Sequence, residues 1–126
     1  MAALIMPFIR YNREKMEKAI CANNLRQIGL TLYIYAKEHN GNFPPSFKTL
    51  YDEHYLADRR IMDCPASDDK GTPESSDYVY EEGLSVRGPS LAFLARDKAT
   101  NHPQGGANVL YVNGKVAWER GIGEDN

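Results

Sequence analysis

Cysteine is scarce: the chain of 126 residues holds two, Cys21 and Cys64. A single pair permits one disulfide and supports neither a zinc ribbon nor a Cys-x-x-Cys redox site. Long hydrophobic runs are missing, because no apolar stretch approaches the roughly 20 residues that span a bilayer. No sign of charge dominates; a net charge of −2 gives no global attraction to nucleic acid. Ten glycines and seven prolines are too few for a fibrous or disordered chain. The nucleophile elbow, the P-loop, the dinucleotide fingerprint and H-E-x-x-H are all absent. The histidines, His39, His54 and His102, have no metal-ligand spacing to one another or to a cysteine. These absences exclude a basic nucleic-acid binder, a disulfide-dense miniprotein and the enzymes that carry those signatures.

What is present is an ordinary globular composition, 42% hydrophobic and 25% charged, at a length that suits one domain. The charge is unevenly spread. Residues 1–38 carry six Lys/Arg against three Glu, and the remainder carries nine basic against fourteen acidic residues. Such a split marks either two segments with different surroundings or a basic helix packed on an acidic domain.

Residues 2–9, AALIMPFI, are almost wholly apolar, and the RYNREKMEK that follows is strongly polar. From Arg10 to Glu38 there is no proline, and Gly29 is the one glycine. Cys21, Leu25, Ile28, Leu32 and Tyr35 step by 4, 3, 4 and 3, a continuous apolar stripe on one helical face. Arg13, Glu17, Asn24, Arg26 and Lys37 fall mostly away from it. The pattern predicts one long helix, started or kinked at Pro7 and closed at His39-Asn40-Gly41. At 1.5 Å per residue, about 38 residues reach roughly 55 Å. A domain of this size does not need that length, so residues 1–20 are expected to protrude and residues 21–126 to form the globular head.

Asn42-Phe43-Pro44-Pro45 reads as an extended connector. Ser46 suits the N-cap of a short helix from Phe47 to Tyr55 with Leu50 and Tyr51 inward, followed by a loop through Arg59 and Arg60. Residues 66–77 are polar and turn-rich, a surface loop. Strands are expected at Tyr78-Val79-Tyr80 and Leu91-Ala92-Phe93-Leu94. The clearest hairpin is NVLYV-NG-KVAWE, turning at Asn113-Gly114, with Val109, Tyr111, Val116 and Trp118 as inward or cross-strand partners. The tail from Gly121 is expected to fray. The fold class is therefore α+β: one long N-terminal helix packed on a small antiparallel sheet of three or four strands.

Few residues suggest chemistry. His102 lies in a turn just before the hairpin. It reads as a ligand or hydrogen-bond hub, or more simply as a loop histidine fixing turn geometry, since convergent partners are not visible in sequence. The acidic run Asp68-Asp69, Glu74 and Asp77 offers oxygen ligands to Ca²⁺ but lacks the spacing and turn glycine of an EF-hand. A solvated loop is the simpler reading, and no cofactor is expected. Asp97, between Arg96 and Lys98, reads as surface. Cys21 lies on the apolar stripe and Cys64 in the chain returning toward it. An oxidising compartment would join them across a ring of about 44 residues, worth roughly 4 kcal/mol in the loop-entropy model; a reducing one would leave two buried thiols.

Three stretches together resemble a known family. AALIMP followed by a polar segment is similar to the end of a type IV prepilin-type N-terminal helix, with Pro7 at its usual proline. Cys21-Ala22-Asn23-Asn24-Leu25-Arg26-Gln27-Ile28-Gly29, then Tyr33 to Phe43-Pro44-Pro45, is similar to the C-x-x-N-L-R-Q-I-G…Y…F-P-P run of bacterial pseudopilin-like proteins. Met62-Asp63-Cys64-Pro65 resembles their cysteine-proline turn. HPQGGANVLYVNG, from His102 through Gly105, Gly106, Asn113 and Gly114, resembles the H-X9-DG domain of prepilin-type processing-associated proteins. Here Asn113 stands in place of that family's Asp, and ten residues rather than nine separate it from His102.

The resemblance implies a pilin-like fold and a non-enzymatic structural subunit of a type II secretion or type IV pilus-like filament. The alternative it leaves is a soluble pilin-like module holding a ligand or Ca²⁺ at the His102 loop and hairpin. It implies other pilin-like subunits as partners, the inner membrane if a longer helix exists, no nucleic acid, and a head at the periplasmic face of the bacterial envelope. That compartment favours the Cys21–Cys64 bridge. Leu25, Ile28, Leu32 and Tyr35 would hold the head. Ile5, Pro7, Phe8, Arg10 and Arg13 would lie at the filament or membrane edge, and the loop 66–77 would be a variable contact face. AALIMPFI then reads as the stub of a longer apolar helix, and an upstream prepilin signal of about 15 apolar residues is expected.

Overall fold

The structure, a computed structural model, describes residues 2–67, 70–98, 101–102 and 105–121; the side chains of residues 2–11 lie outside the description. Helix α1 (Ala2–Glu38) runs 37 residues without a break. It closes as expected, because Asn40 and Gly41 take left-handed φ angles of 58° and 84°. The Gly41 N–H then turns back onto the Ala36 carbonyl at 2.7 Å. The His39 ring stacks on Tyr35 at 3.7 Å, and its Nδ1 lies 2.8 Å from the Tyr35 carbonyl.

Helix α2 (Phe47–Asp52) starts where Ser46 accepts the Thr49 N–H. It ends three residues before the expected Tyr55, because His54 takes a left-handed φ of 66°. The Tyr55 and Leu56 N–H groups bond back to the Leu50 carbonyl, closing the turn. The segment expected to loop through Arg59 forms a 3-10 turn, Arg59–Met62, capped by the Asp58 carboxylate on the Arg60 N–H.

Four strands follow: β1 (Tyr78–Tyr80), β2 (Phe93–Asp97), β3 (Gly106–Tyr111) and β4 (Val116–Arg120). They pair antiparallel in chain order. β2 begins two residues later than the predicted Leu91, which lies exposed ahead of it. A register shift between Phe93 and Ala95 puts one extra residue on β2, so the adjacent Leu94 and Ala95 both join the core. The β3–β4 hairpin is as expected, although its connection is wider than two residues: the Tyr111 N–H reaches the Lys115 carbonyl, and Gly114 supplies a φ of 90°.

α1 lies across one sheet face. The core joins Leu25, Ile28 and Leu32 of α1 to Leu50, Met62 and Leu110. A Cβ on Gly29 would stand 3.0 Å from the Leu110 side chain, so helix and strand touch there. Leu110 and Val112 therefore face the helix; Val109 and Tyr111, expected as inward or cross-strand partners, are buried as well but lie outside that helix-side cluster. Asn108 pairs with Trp118 and Leu110 with Val116, so the even positions of β3 share the helix-facing side with the expected partners Val116 and Trp118.

A second stripe on α1 faces away from the head. Met16, Ile20, Leu30 and Ile34 are all exposed. At about 100° per residue they fall within roughly 80° of one another, about 140° around the helix from the core stripe. No helix among the described residues is long and apolar enough to cross a membrane.

Candidate functional site

The polar centre of the head assembles around the two cysteines. Cys21 and Cys64 are joined by a disulfide with Cα atoms 5.6 Å apart, and both are buried. It ties α1 to the chain leaving the 3-10 turn. Next to it stands His102, whose Nε2 lies 3.7 Å from Cys64 Sγ and 3.1 Å from Asp97 Oδ2. His102 and Asp97 are 1% and 0% exposed at their side chains.

Asp97 is the last residue of β2, and β3 supplies its donors. The Asn108 backbone N–H reaches Asp97 Oδ2 at 2.8 Å, and the Asn108 side-chain amide reaches it at 3.0 Å. That amide also donates to the Lys18 carbonyl on α1 at 3.0 Å. One polar chain thus runs from α1 through β3 and β2 to His102 and the disulfide. The indole of Trp118 meets the His102 ring edge-on at 5.6 Å, and the Lys18 ammonium lies 4.0 Å from the indole centre. Asp97 Oδ1 and Asn101 Oδ1 are buried without a hydrogen-bond partner among the described residues.

A second carboxylate supports the opposite side of the disulfide. Asp77 accepts the Cys64 N–H at 2.7 Å and the Ser67 hydroxyl at 3.1 Å. Burial pushes its carboxyl above the ordinary range, and those two donors offset part of the rise. The Asn101 amide donates to the Asp77 carbonyl at 2.6 Å, which pins the segment leading to His102. The Asn24 amide donates to the Asp63 carbonyl and to the Tyr78 hydroxyl oxygen. Burial raises the Tyr78 hydroxyl, against the pull of that amide.

The sequence-predicted residues divide accordingly. Leu25, Ile28, Leu32 and Tyr35 are buried in the core. His102 is buried, with Asp97 and Cys64 beside its ring. Gly105 turns the chain with a φ of 73°. Gly106 opens β3 where a Cβ would stand 2.6 Å from the Trp118 ring, so only glycine fits without a shift. Asn113 accepts the Lys115 N–H through its side chain. Arg13 is exposed and pairs with Glu17 at 3.5 Å. Ile5, Pro7, Phe8 and Arg10 lie outside the described side chains.

Several expectations fail for one physical reason: polar residues here satisfy each other inside. Asp97, read as surface, is fully buried, and Asn24, read as lying off the stripe, is buried as well. The segment 66–77 is not a wholly exposed contact face, since Gly71, Pro73, Ser76 and Asp77 are buried. In space the histidine spacing also changes: Cys21, Cys64 and His102 bring their ligand atoms within 4.8 Å of one another. Of the acidic Ca²⁺ candidates, Glu74 pairs with Arg59, Asp77 serves Cys64 and Ser67, and Asp68 and Asp69 lie outside the described residues.

From sequence, Asn101 and Asn108 carry no role, and Asp97 reads as surface. Asn108 carried a signal, because an asparagine inside a strand of β-formers needs a buried partner. Two surface clefts, of about 430 and 480 Å³, are lined around Phe47 and Tyr80 and around Tyr51 and His54, away from the cysteines. No family model matches the chain, and no curated protein or solved structure matches it.

Proposed function

We propose that the chain is a non-enzymatic, pseudopilin-like structural subunit of a type II secretion or type IV pilus-like filament, its head on the periplasmic face of the inner membrane. The observation that carries this reading is the second stripe of α1. Met16, Ile20, Leu30 and Ile34 are exposed on the side away from the head. Asn23 and Gln27, on the same arc, are exposed and uncharged. A helix that packs its own head with one face and offers a face outward that is uncharged from Asn12 to Ile34 suits helix-on-helix packing with like subunits. Scattered exposed leucines are ordinary, whereas apolar pairs aligned on one helical arc form a contact surface. The described part of α1 before Cys21 adds support. From Asn12 to Ile20 no side chain is buried, so this stretch is available for assembly contacts. The buried disulfide fits an oxidising compartment.

The test is Leu30→Asp in the native cell. The filament reading expects loss of the subunit from the assembly with the melting temperature of the isolated protein unchanged. Normal incorporation of the variant would contradict it.

A further inference from the structure

The polar centre has features that a disulfide alone leaves unexplained. A carboxylate, an imidazole and a disulfide form a fully buried chain of contacts contributed by α1, the segment after the 3-10 turn, β2 and the segment before β3. One of the carboxylate oxygens, Asp97 Oδ1, has no hydrogen-bond partner among the described residues. Leaving such an oxygen unsatisfied costs about 1–3 kcal/mol, so a buried orphan asks for a ligand. We propose that, with the Cys21–Cys64 bond reduced, Cys21, Cys64, His102 and Asp97 form a redox-gated site for a thiophilic divalent cation of the zinc type. This inference is independent of the filament reading.

The donor set is two thiolates, one imidazole nitrogen and one carboxylate oxygen, four ligands of the kinds that zinc takes in tetrahedral sites. Bond lengths of about 2.0–2.3 Å place tetrahedral ligand atoms about 3.3–3.8 Å apart. His102 Nε2 already stands 3.7 Å from Cys64 Sγ and 3.1 Å from Asp97 Oδ2. Cys21, Cys64 and His102 hold their ligand atoms within 4.8 Å of one another; the sulfurs must separate and the Asp97 carboxylate must rotate toward them. The Asn108 N–H and amide hold the carboxylate from behind, as outer partners of metal ligands do.

The chemistry balances with a two-electron reductant of the dithiol or phosphine class. The S–S bond breaks, and each sulfur takes one electron and one proton; a dithiol becomes its own disulfide. Binding of the cation then releases both thiol protons. The imidazole proton shifts to Nδ1, leaving the Nε2 lone pair for the metal. Reoxidation of the sulfurs would expel the cation. The disulfide and the cation are therefore alternative staples of α1 to the head, one for each redox state.

The protein carries its own reporter, since Trp118 is the one tryptophan and stands against His102. The experiment titrates the phosphine-reduced, full-length chain with Zn²⁺, and separately with Co²⁺, under anaerobic conditions. The expected result is one equivalent bound, a thiolate-to-cobalt charge-transfer band and a change in Trp118 fluorescence. The oxidised protein and the Cys21→Ser/Cys64→Ser variant show none of these. Affinity falls at least about tenfold in His102→Ala and in Asp97→Asn. Should reduction unfold the chain, circular dichroism must show Zn²⁺ restoring the fold. Absence of stoichiometric binding, absence of that restoration, or full affinity in both variants would overturn the proposal.

Discussion

Leu30 and Leu32 sit two residues apart on the same helix, yet Leu32 is fully buried and Leu30 is 66% exposed. Their helix propensity is identical, and the difference lies in what faces them. Leu32 meets the core formed with the sheet and the 3-10 turn; Leu30 meets solvent. Extended along α1, the comparison separates a face committed to the head, Cys21 to Tyr35, from a face of Met16, Ile20, Leu30 and Ile34 committed to nothing within the chain. Folding energy resides on the first face. The second is exposed among the described residues, and substitution there should leave folding untouched.

The strongest way to break this comparison is to remove the covalent part of the committed face. Cys21→Ser/Cys64→Ser is expected to cost about 4 kcal/mol through the ring it reopens, read by denaturant unfolding in the absence of metal. Next, Leu32→Ala should cost about 3 kcal/mol, within the range for emptying a buried leucine site. Leu30→Ala should stay within about 0.5 kcal/mol. Equal losses at the two leucines would erase the distinction between the faces. Gly106→Ala, which drives a methyl into Trp118 and the Glu119 carbonyl, should cost about 2 kcal/mol by overpacking, with the Trp118 emission reporting the displaced ring.

The smallest effect concerns the polar part of the committed side. Burial raises the Asp77 carboxyl, so the folded state holds that proton more tightly than the unfolded state. Its contribution is fully present below the unfolded value near 3.8 and is lost as pH climbs through the raised folded value. Asp77→Asn removes the titration. The melting temperature of the variant relative to the parent should therefore rise from pH 4 toward pH 7. A difference that falls over that range would show the carboxylate to be favoured in its ionised form.

Much of this architecture was legible from local chemistry. The 4-3-4-3 stripe located the helix and its buried face, Ser46 located the second helix, and Asn113-Gly114 located the hairpin. Each is a short-range signal in which the residue itself sets the backbone. The misplaced start of β2 comes from pairing register, which depends on the bulge at Phe93–Ala95 and is invisible to a single strand. The polar centre was the least legible. Asp97 looks like a surface residue, and the partners of His102 stay hidden, until the β2–β3 pairing brings the Asn108 amide to the carboxylate. Burial of such groups is a property of the partners together, and 38 residues of chain separate Cys64 from the histidine beside it.

The account turns on what the outward face of α1 touches in the cell. A photo-crosslinking residue placed at Leu30 in the native host, with a control at the exposed Val86 of the head, tests this directly. The account predicts a ladder of adducts from position 30 whose peptides come from the same chain or from other pilin-like subunits, and little from position 86. Only monomer from position 30, or the same adducts from both positions, would contradict it.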